Sequence, residues 1–250
     1  MRGERTKVRL YVSAELDRGC TVGLTPTQAH YLKHVLRLEA GDSLSLFNGR
    51  DGEWTALIDG LGKGWGSLSV QERRRGQEAE PDLWLVFAPI KRTRIDFLAQ
   101  KATELGVSAL WPVFTRHTVV SRVNTERLRA NAVEAAEQSG RLTVPTVFEP
   151  ATLDEVLAQS PAERRLALCD NSGGGVPIAD ALAQASEGPW ALLVGPEGGI
   201  AGSELDALRK LPFVTVVGLG PRVLRADTAA LAALACWQAL VGDWRRPRAC

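Results

Sequence analysis

The chain has 250 residues, long enough for one large domain or two smaller ones, and its shares of hydrophobic (45%) and charged (24%) residues are ordinary for a globular protein. A formal net charge of +1 gives no nucleic-acid signature by itself, and four cysteines without a CxxC pair argue against a zinc site and a disulfide framework. No apolar run is long enough to span a membrane, and the N-terminus lacks the apolar stretch of a signal peptide, so we expect a cytoplasmic protein without a membrane anchor.

Short β-like runs separated by glycine-rich turns dominate the first 80 residues and predict a small β-barrel. One helix interrupts them, with Thr25 as its N-cap, Pro26 in its first turn and an end near Leu38. We place the barrel at residues 1–73 and a charged linker at residues 74–81. The predicted strands are 8–12, 43–47, 54–58 and 67–70.

Strands and helices alternate from residue 82 onward, which predicts a doubly wound, mostly parallel α/β sheet over residues 82–250. We expect Thr125 and Ser203 to cap two of the helices, and Thr152 with Glu155 to form a capping box on another. The predicted strands are 83–88, 109–114, 166–169, 190–194 and 214–218. The predicted helices are 94–105, 125–139, 152–159, 178–185, 204–210 and 227–241.

Two glycine-proline loops follow the last two predicted strands. The first has the sequence LVGPEGGI (residues 193–200), and the second has LGPRVLR (residues 219–225). In an open α/β sheet, ligands bind beyond the carboxyl ends of the strands, so the two loops predict one shared pocket. Neither loop has the Lys-Ser/Thr pair of a Walker A motif, and Val223 stands where the dinucleotide fingerprint needs its third glycine.

The loops instead suit a ligand that is recognised by backbone groups. Glycines allow main-chain amides and carbonyls to approach a flat heterocycle closely, and the apolar neighbours would form a slot around it. Glu197 would bring a carboxylate near a cationic ligand such as a sulfonium, or else cap the next helix or pair with a loop arginine. Of Arg222 and Arg225, we expect one to neutralise Asp227 and the other to hold a phosphate or an imide oxygen of a substrate base.

The three histidines give weaker signals. His30 and His34 have the spacing of a metal pair, but no third ligand accompanies them, so we expect surface or packing residues. His117 follows the end of a predicted strand. It either lies at the edge of an active site or has no functional role. The residues alone leave both alternatives open.

Several segments together carry a resemblance to a known family. They are LLVGPEGG (192–199), LGPRVLR (219–225), Thr228-Ala229, KATELGV (101–107), EQSGR (137–141) with Pro145, and HYLKHVLR (30–37) with Gly41-Asp42. In these segments the chain is similar to the RsmE family of SPOUT-class RNA methyltransferases, which methylates N3 of a uridine in small-subunit (16S) ribosomal RNA with S-adenosylmethionine (SAM). One departure is Asp227, where the family usually has glutamate.

The resemblance implies a PUA-like RNA-binding barrel followed by a SPOUT domain with a parallel sheet and a C-terminal trefoil knot. It implies SAM as the cofactor without a metal, 16S rRNA or the small ribosomal subunit as the partner, and a homodimer whose active sites draw on both subunits. Two alternatives stay open: a SPOUT enzyme acting on another rRNA or tRNA nucleoside, and a non-catalytic RNA-binding assembly factor.

Within this reaction, loop position and residue chemistry suggest roles for individual residues. Arg222 and Arg225 would stabilise charge on the uracil oxygens, and Glu197 or Asp227 would accept the N3 proton. The expected RNA-binding residues are Arg9, Arg37, Arg116 and Arg141. The expected cofactor-binding residues are Leu193, Val194, Gly195, Pro196, Gly199, Leu219, Gly220, Val223, Leu224 and Thr228.

Overall fold

The computed structural model describes residues 8–185 and 188–245. The chain divides into two compact units, one of residues 1–79 with 136–144 and the other of residues 80–135 with 145–250. The segment 136–144, which the sequence assigned to the second domain, therefore belongs to the first unit. Strand β5 (Trp65–Arg75) also continues into the predicted linker.

The first unit is built on a five-stranded sheet with the order β1-β3-β4-β5-β2, as far as the described residues show. β1 pairs in parallel with β3, and the other neighbours are antiparallel. Sequence analysis missed β2 but found the others within a few residues. The strands are β1 (Arg9–Tyr11), β2 (Thr21–Gly23), β3 (Ser43–Phe47), β4 (Glu53–Gly62) and β5.

One helical segment packs against the core of this sheet. Helix α1 (Pro26–His30) begins with the predicted cap, in which the Thr25 hydroxyl accepts the Gln28 amide, and continues as a single π-helical turn (Tyr31–Val35). The turn ends earlier than the predicted Leu38, because Arg37 adopts a left-handed backbone with a φ of 57°.

The second unit contains an eight-stranded sheet, counted over the described residues, in which every pairing is parallel. Its order is β11-β13-β10-β12-β6-β7-β8, and β9 also pairs with β7. The strands are β6 (Leu83–Phe87), β7 (Ala109–Phe114), β8 (Thr146–Val147), β9 (Ala151–Thr152), β10 (Arg165–Cys169), β11 (Val176–Pro177), β12 (Trp190–Val194) and β13 (Val214–Gly218).

Helices cover both faces of this sheet, as an α/β fold requires. One core cluster joins the sheet to α2, α5 and α7, and a second joins the opposite face to α4 and α6. Among the described helices, none combines the length and hydrophobicity needed to cross a membrane. The helices are α2 (Arg92–Glu104), α3 (Thr125–Ser139), α4 (Leu153–Gln159), α5 (Ile178–Ala183), α6 (Gly202–Arg209) and α7 (Ala226–Leu240), followed by a 3-10 turn (Asp243–Arg245).

Two of the predicted helix caps are wrong. The side chain of Asn124, not Thr125, accepts the Arg127 amide at the start of α3. Ala201, not Ser203, is the N-cap of α6, and the Glu204 carboxylate reaches back to its amide. The predicted capping box of Thr152 on α4 is confirmed.

Candidate functional site

Three neighbouring strands bring their carboxyl ends to one edge of the parallel sheet. β10 lies between β12 and β13, and all three run in the same direction. The two glycine-proline loops that follow β12 and β13 are therefore separated by a third segment, Asp170–Gly175, which follows β10. Sequence analysis missed this segment, because the strand order that places it in the middle depends on long-range pairing.

A cleft of about 370 Å³ opens between the third segment and the LGPRVLR loop. Its volume lies within the range of small-molecule sites. The cleft is lined by Cys169, Asp170, Asn171, Gly173, Gly175, Pro177, Gly218, Leu219, Gly220, Pro221, Arg222, Val223, Leu224 and Ala229.

A smaller cleft of about 50 Å³ lies beside it, between the third segment and the GPEGG loop. The two clefts share Cys169, Asp170, Asn171, Leu224 and Ala229 as lining residues, so they adjoin. The first loop contributes Val194, Gly195, Pro196, Glu197, Gly199 and Ile200 to the smaller cleft.

Most of the predicted cofactor-binding residues line one of these clefts. Two of them do not: Leu193 is fully buried in the core of β12, and Thr228 lies exposed in the first turn of α7. The residues that line a cleft are Val194, Gly195, Pro196, Gly199, Leu219, Gly220, Val223 and Leu224.

Two glycines permit the close packing of these segments. A Cβ atom at Gly175 would lie 2.6 Å from the carbonyl carbon of Val217, and one at Gly195 would lie 2.9 Å from Cδ1 of Ile200. The backbone at Gly175 has no room for any side chain. The absence of a side chain at these two positions lets the segments around the clefts approach one another closely.

Asp170 holds the third segment in place. Its amide donates to the Val217 carbonyl at 2.9 Å, and its carboxylate, only 5% exposed, accepts the Ser172 amide at 3.1 Å. The Ser172 hydroxyl and the Arg209 guanidinium, at 3.7 Å, also face this carboxylate. The start of the third segment is therefore fixed to β13 and to α6.

Cys169 forms an apolar part of the wall between the clefts. Burial raises the pKa of its thiol to about 12, with a further contribution from nearby Cys236. The thiol therefore stays protonated near neutral pH and packs as a small hydrophobic group.

The two arginines of the second loop are exposed, and Arg222 lines the larger cleft. Arg225 is the N-cap residue of α7 and lines neither cleft. Among the described residues, Asp227 forms no ion pair with either arginine, contrary to expectation; its carboxylate accepts the Thr228 amide at 3.0 Å. Arg222 is therefore the arginine of this loop that lines the larger cleft.

Glu197 pairs with an arginine that sequence analysis did not single out. Its carboxylate lies 3.8 Å from Nη1 of Arg94 on α2, and its side chain is 52% exposed. An exposed pair of this kind adds little stability, since water screens it. The carboxylate therefore remains accessible at the smaller cleft.

The turn after β7 is attached to the GPEGG loop. Nδ1 of His117 lies 3.1 Å from the Gly198 carbonyl oxygen, and the Arg116 amide donates to the Glu204 carboxylate at 3.0 Å. The structure thus places His117 at the edge of the site, one of the two alternatives that the sequence left open.

The expected RNA-binding arginines have different surroundings. Arg37 and Arg116 are exposed. Arg141 is half-buried and donates to the Thr143 hydroxyl at 3.0 Å.

Arg9 has a structural role in place of the predicted phosphate contact. Its side chain is 13% exposed, pairs with Glu53 at 3.1 Å and donates to the carbonyls of Ala136, Glu137 and Arg141. Burial lowers the pKa of Arg9, although Glu53 counteracts this effect. These bonds attach the segment 136–144 to the sheet of the first unit.

Within the described part of the chain, no group of three or more His, Cys, Asp or Glu residues is arranged to hold a metal ion.

Two family models match the chain. Residues 77–238 match the RNA methyltransferase domain, and residues 24–64 match the RNA methyltransferase PUA domain. The PUA match lies within the first unit, and most of the methyltransferase match lies within the second.

Individual relatives agree with the family models. The chain is 34% identical to ribosomal RNA small subunit methyltransferase E of Rickettsia conorii, over 91% of this chain and 93% of the relative. It is 33% identical to the protein of the same name from Synechocystis, over 93% and 78% of the two chains. A crystal structure of ribosomal RNA small subunit methyltransferase E from Neisseria gonorrhoeae, bound to SAM, superposes with a TM-score of 0.84 at 31% identity and covers 95% of this chain and 99% of that one. The chain therefore belongs to the ribosomal RNA small subunit methyltransferase E family.

Proposed function

We propose that this protein transfers a methyl group from SAM to N3 of a uridine in 16S ribosomal RNA. Family membership supports the reaction class and the kind of RNA. The observation that carries the proposal is the pair of adjoining clefts at the carboxyl ends of β12, β10 and β13, walled by the GPEGG and LGPRVLR loops. The choice of uridine as the base and of N3 as the methylated atom rests on the resemblance of these loops to those of the RsmE family.

The residues at the clefts fit SAM. The larger cleft offers backbone groups and the apolar side chains of Leu219, Val223 and Leu224, which suit a flat adenine ring. Glu197, at the smaller cleft, offers a carboxylate to a positively charged group. When bound, SAM would supply an electrophilic methyl carbon on its sulfonium.

The protein must then prepare a poor nucleophile. N3 of uridine carries a proton, and the base is stacked within RNA, so the enzyme has to hold the base outside the stack and remove the proton. Arg222, which faces the larger cleft, would stabilise negative charge on a uracil oxygen, with Arg225 next along the loop. Glu197 and Asp227 are the loop carboxylates available to accept a proton, directly or through water.

Exposed cations on both units would bind the RNA backbone. Arg37 comes two residues after the π-helical turn of the PUA-like unit. Arg116 lies in the turn after β7, beside the GPEGG loop. Guanidinium groups suit phosphate because their donors are planar and fixed. We add the half-buried Arg141 as a further phosphate contact and omit Arg9, whose guanidinium bonds to Glu53 and to backbone carbonyls.

We further propose that the site loops are threaded as a trefoil knot and that two copies form a homodimer. The resemblance to SPOUT enzymes supports both. Apolar side chains at and beyond the end of α7 also support a dimer, since Leu240 is 38% exposed and Trp244 is 56% exposed. An enzyme with this substrate would act in the cytoplasm, where ribosomal subunits are assembled.

Removal of the gene tests the proposal in the cell. Mass spectrometry of nucleosides from purified 16S rRNA should show the loss of N3-methyluridine, and a plasmid copy of the gene should restore it. If another methylated nucleoside disappears, from rRNA or tRNA, the base assignment is wrong. If no methylated nucleoside changes, the protein is an assembly factor and the proposal fails.

A further inference from the structure

Two internal hydrogen bonds close the turn that carries His117. The Thr118 amide donates to the Thr115 carbonyl at 3.0 Å, and the Thr115 amide donates to the Thr118 hydroxyl at 2.9 Å. Two further contacts attach the turn to the site. The Arg116 amide donates to the Glu204 carboxylate, and Nδ1 of His117 bonds to the Gly198 carbonyl oxygen. The turn packs closely on the loop, since a Cβ atom at position 198 would lie in van der Waals contact, 3.4 Å from Cβ of His117.

The contact with Gly198 determines which ring nitrogen carries the proton. A carbonyl oxygen can only accept a hydrogen bond, so Nδ1 of His117, 3.1 Å away, must be the donor. In the neutral ring Nε2 then has a free lone pair. Among the described residues, Nε2 of His117 has no hydrogen-bond partner, and the residue is exposed.

The contact with Gly198 places the imidazole beside the loop that walls the smaller cleft. Gly198 lies between Glu197 and Gly199, which both line that cleft. The imidazole therefore rests on the segment proposed to face the sulfonium end of the cofactor. The charged residues on the segments in contact with this turn are Arg116 on the turn itself, Glu197 of the GPEGG loop with its partner Arg94, and Glu204 on α6.

An imidazole suits the step better than either loop carboxylate. A general base works best when its ordinary pKa lies near the operating pH, which is true of histidine and not of an exposed carboxylate. Glu197 is water-exposed and pairs with Arg94, and Asp227 accepts the Thr228 amide.

We propose that His117 is the general base of the reaction, an inference that rests on the proposed function. The N3 proton of the uridine passes to Nε2 of His117, and the electron pair left on N3 forms the bond to the methyl carbon. The electron pair of the broken carbon–sulfur bond stays on sulfur, which becomes a thioether. The imidazolium keeps its Nδ1–H bond to the Gly198 carbonyl, whose dipole stabilises the positive charge, and loses the added proton to water after product release.

The tautomer can be tested without any substrate. The chain has three histidines, so a spectrum of protein with ¹⁵N-labelled histidine is simple, and His117→Asn identifies the His117 signals. We expect a protonated Nδ1 and an unprotonated Nε2 at neutral to mildly alkaline pH. A ring with the proton on Nε2 would overturn the proposal, whatever the protein's activity.

Kinetics test the role in catalysis. In His117→Asn the side-chain amide can still donate to the Gly198 carbonyl, but no base remains. We expect SAM affinity within twofold of the wild type, a methylation rate about 10² to 10⁴-fold lower, and partial rescue as pH rises or imidazole is added. The control, His34→Asn, should behave as the wild type.

A His117→Asn variant that methylates within threefold of the wild-type rate over the whole pH range would overturn the proposal. If the wild-type protein itself forms no N3-methyluridine, the proposed function fails, and the role of His117 in it fails too. The two failures are distinguishable because only the second abolishes the wild-type reaction.

Discussion

The carboxylate of Asp170 lies 3.7 Å from the guanidinium of Arg209, although one residue follows β10 and the other ends α6. Asp170 is also bonded through its amide to Val217 on β13. These contacts hold the middle segment of the site between the two glycine-proline loops. The two adjoining clefts therefore depend on a residue that contributes no obvious chemistry of its own.

Asp170→Ala should weaken SAM binding. The substitution removes the buried carboxylate that accepts the Ser172 amide and hydroxyl, and the loss of these charge-assisted hydrogen bonds costs about 1–3 kcal/mol, equivalent to roughly 5- to 150-fold in affinity if the loop alone bears it. Titration calorimetry with SAM measures the effect. Asp206→Ala, which removes an exposed carboxylate on α6, is the control and should bind as the wild type. Equal affinities for the two variants would show that Asp170 does not shape the site.

Gly175→Ala should damage the same cleft through the backbone. Its Cβ would meet Val217 and the amide nitrogen of Gly218 at 2.6 and 2.8 Å, so the segment must shift, at a cost of about 1–3 kcal/mol. We expect lower SAM affinity and a lower melting temperature. Gly202→Ala is the matched control, since no atom lies within 4 Å of the Cβ it adds. Normal SAM binding by Gly175→Ala would contradict the proposed position of the cofactor.

Alanine substitutions at Arg222 and Arg225 test the stabilisation of charge on the uracil. We expect the rate of methyl transfer to fall by about 10² to 10³-fold in Arg222→Ala, which faces the cleft, and less in Arg225→Ala. Single-turnover assays with a saturating concentration of SAM separate this effect from cofactor binding. Arg18→Ala, at an exposed position of the first unit, is the control. Full methylation by both loop variants, with unchanged SAM affinity, would rule out the arginine assignment.

The first unit should lose stability in mild acid because of Glu53. Burial alone would raise the pKa of this carboxyl, but the charges of Arg9 and Arg75 outweigh it, and the pKa lies below its usual value. A lowered folded-state pKa means that the stabilisation is complete above the ordinary glutamate pKa and is lost as pH falls through the folded value. Urea unfolding between about pH 3 and pH 6 should show this slope.

Glu53→Gln should remove that slope. It should also lower the free energy of unfolding by about 3 kcal/mol near neutral pH, since the buried Arg9 guanidinium loses its partner. Glu72→Gln, an exposed residue of β5, should leave both quantities unchanged. If the slope persists in Glu53→Gln, another carboxyl is responsible for the acid sensitivity.

Local patterns predicted the strands that position the site. Apolar runs bounded by glycine and proline located β12 and β13 to the residue, and β10 to within one. The short β2 was missed because Thr-Val-Gly is too brief to show an alternation. The N-cap of α6 was misplaced because Ser203 has a side chain that is preferred at N-caps. In the structure the cap is Ala201, which has no polar side chain, and its amide donates to the Glu204 carboxylate.

Long-range contacts explain the rest of what the sequence could not reveal. Arg9 looked like a free surface cation, but its partners lie 44 or more residues away and bury it. The third segment of the site became visible only when the order β12-β10-β13 was known. His117 was noticed in the sequence, yet its value as a base depends on a carbonyl 81 residues further along the chain.

The most direct test of the account is methylation in vitro with SAM that carries a deuterated methyl group. Purified protein is incubated with unmethylated 16S rRNA or small subunits from the deletion strain, and the RNA is digested to nucleosides for mass spectrometry. We predict one labelled product, N3-methyluridine, formed by the wild-type protein and reduced in Arg222→Ala. A label on any other nucleoside, or SAM binding without transfer to either RNA substrate, would contradict the account.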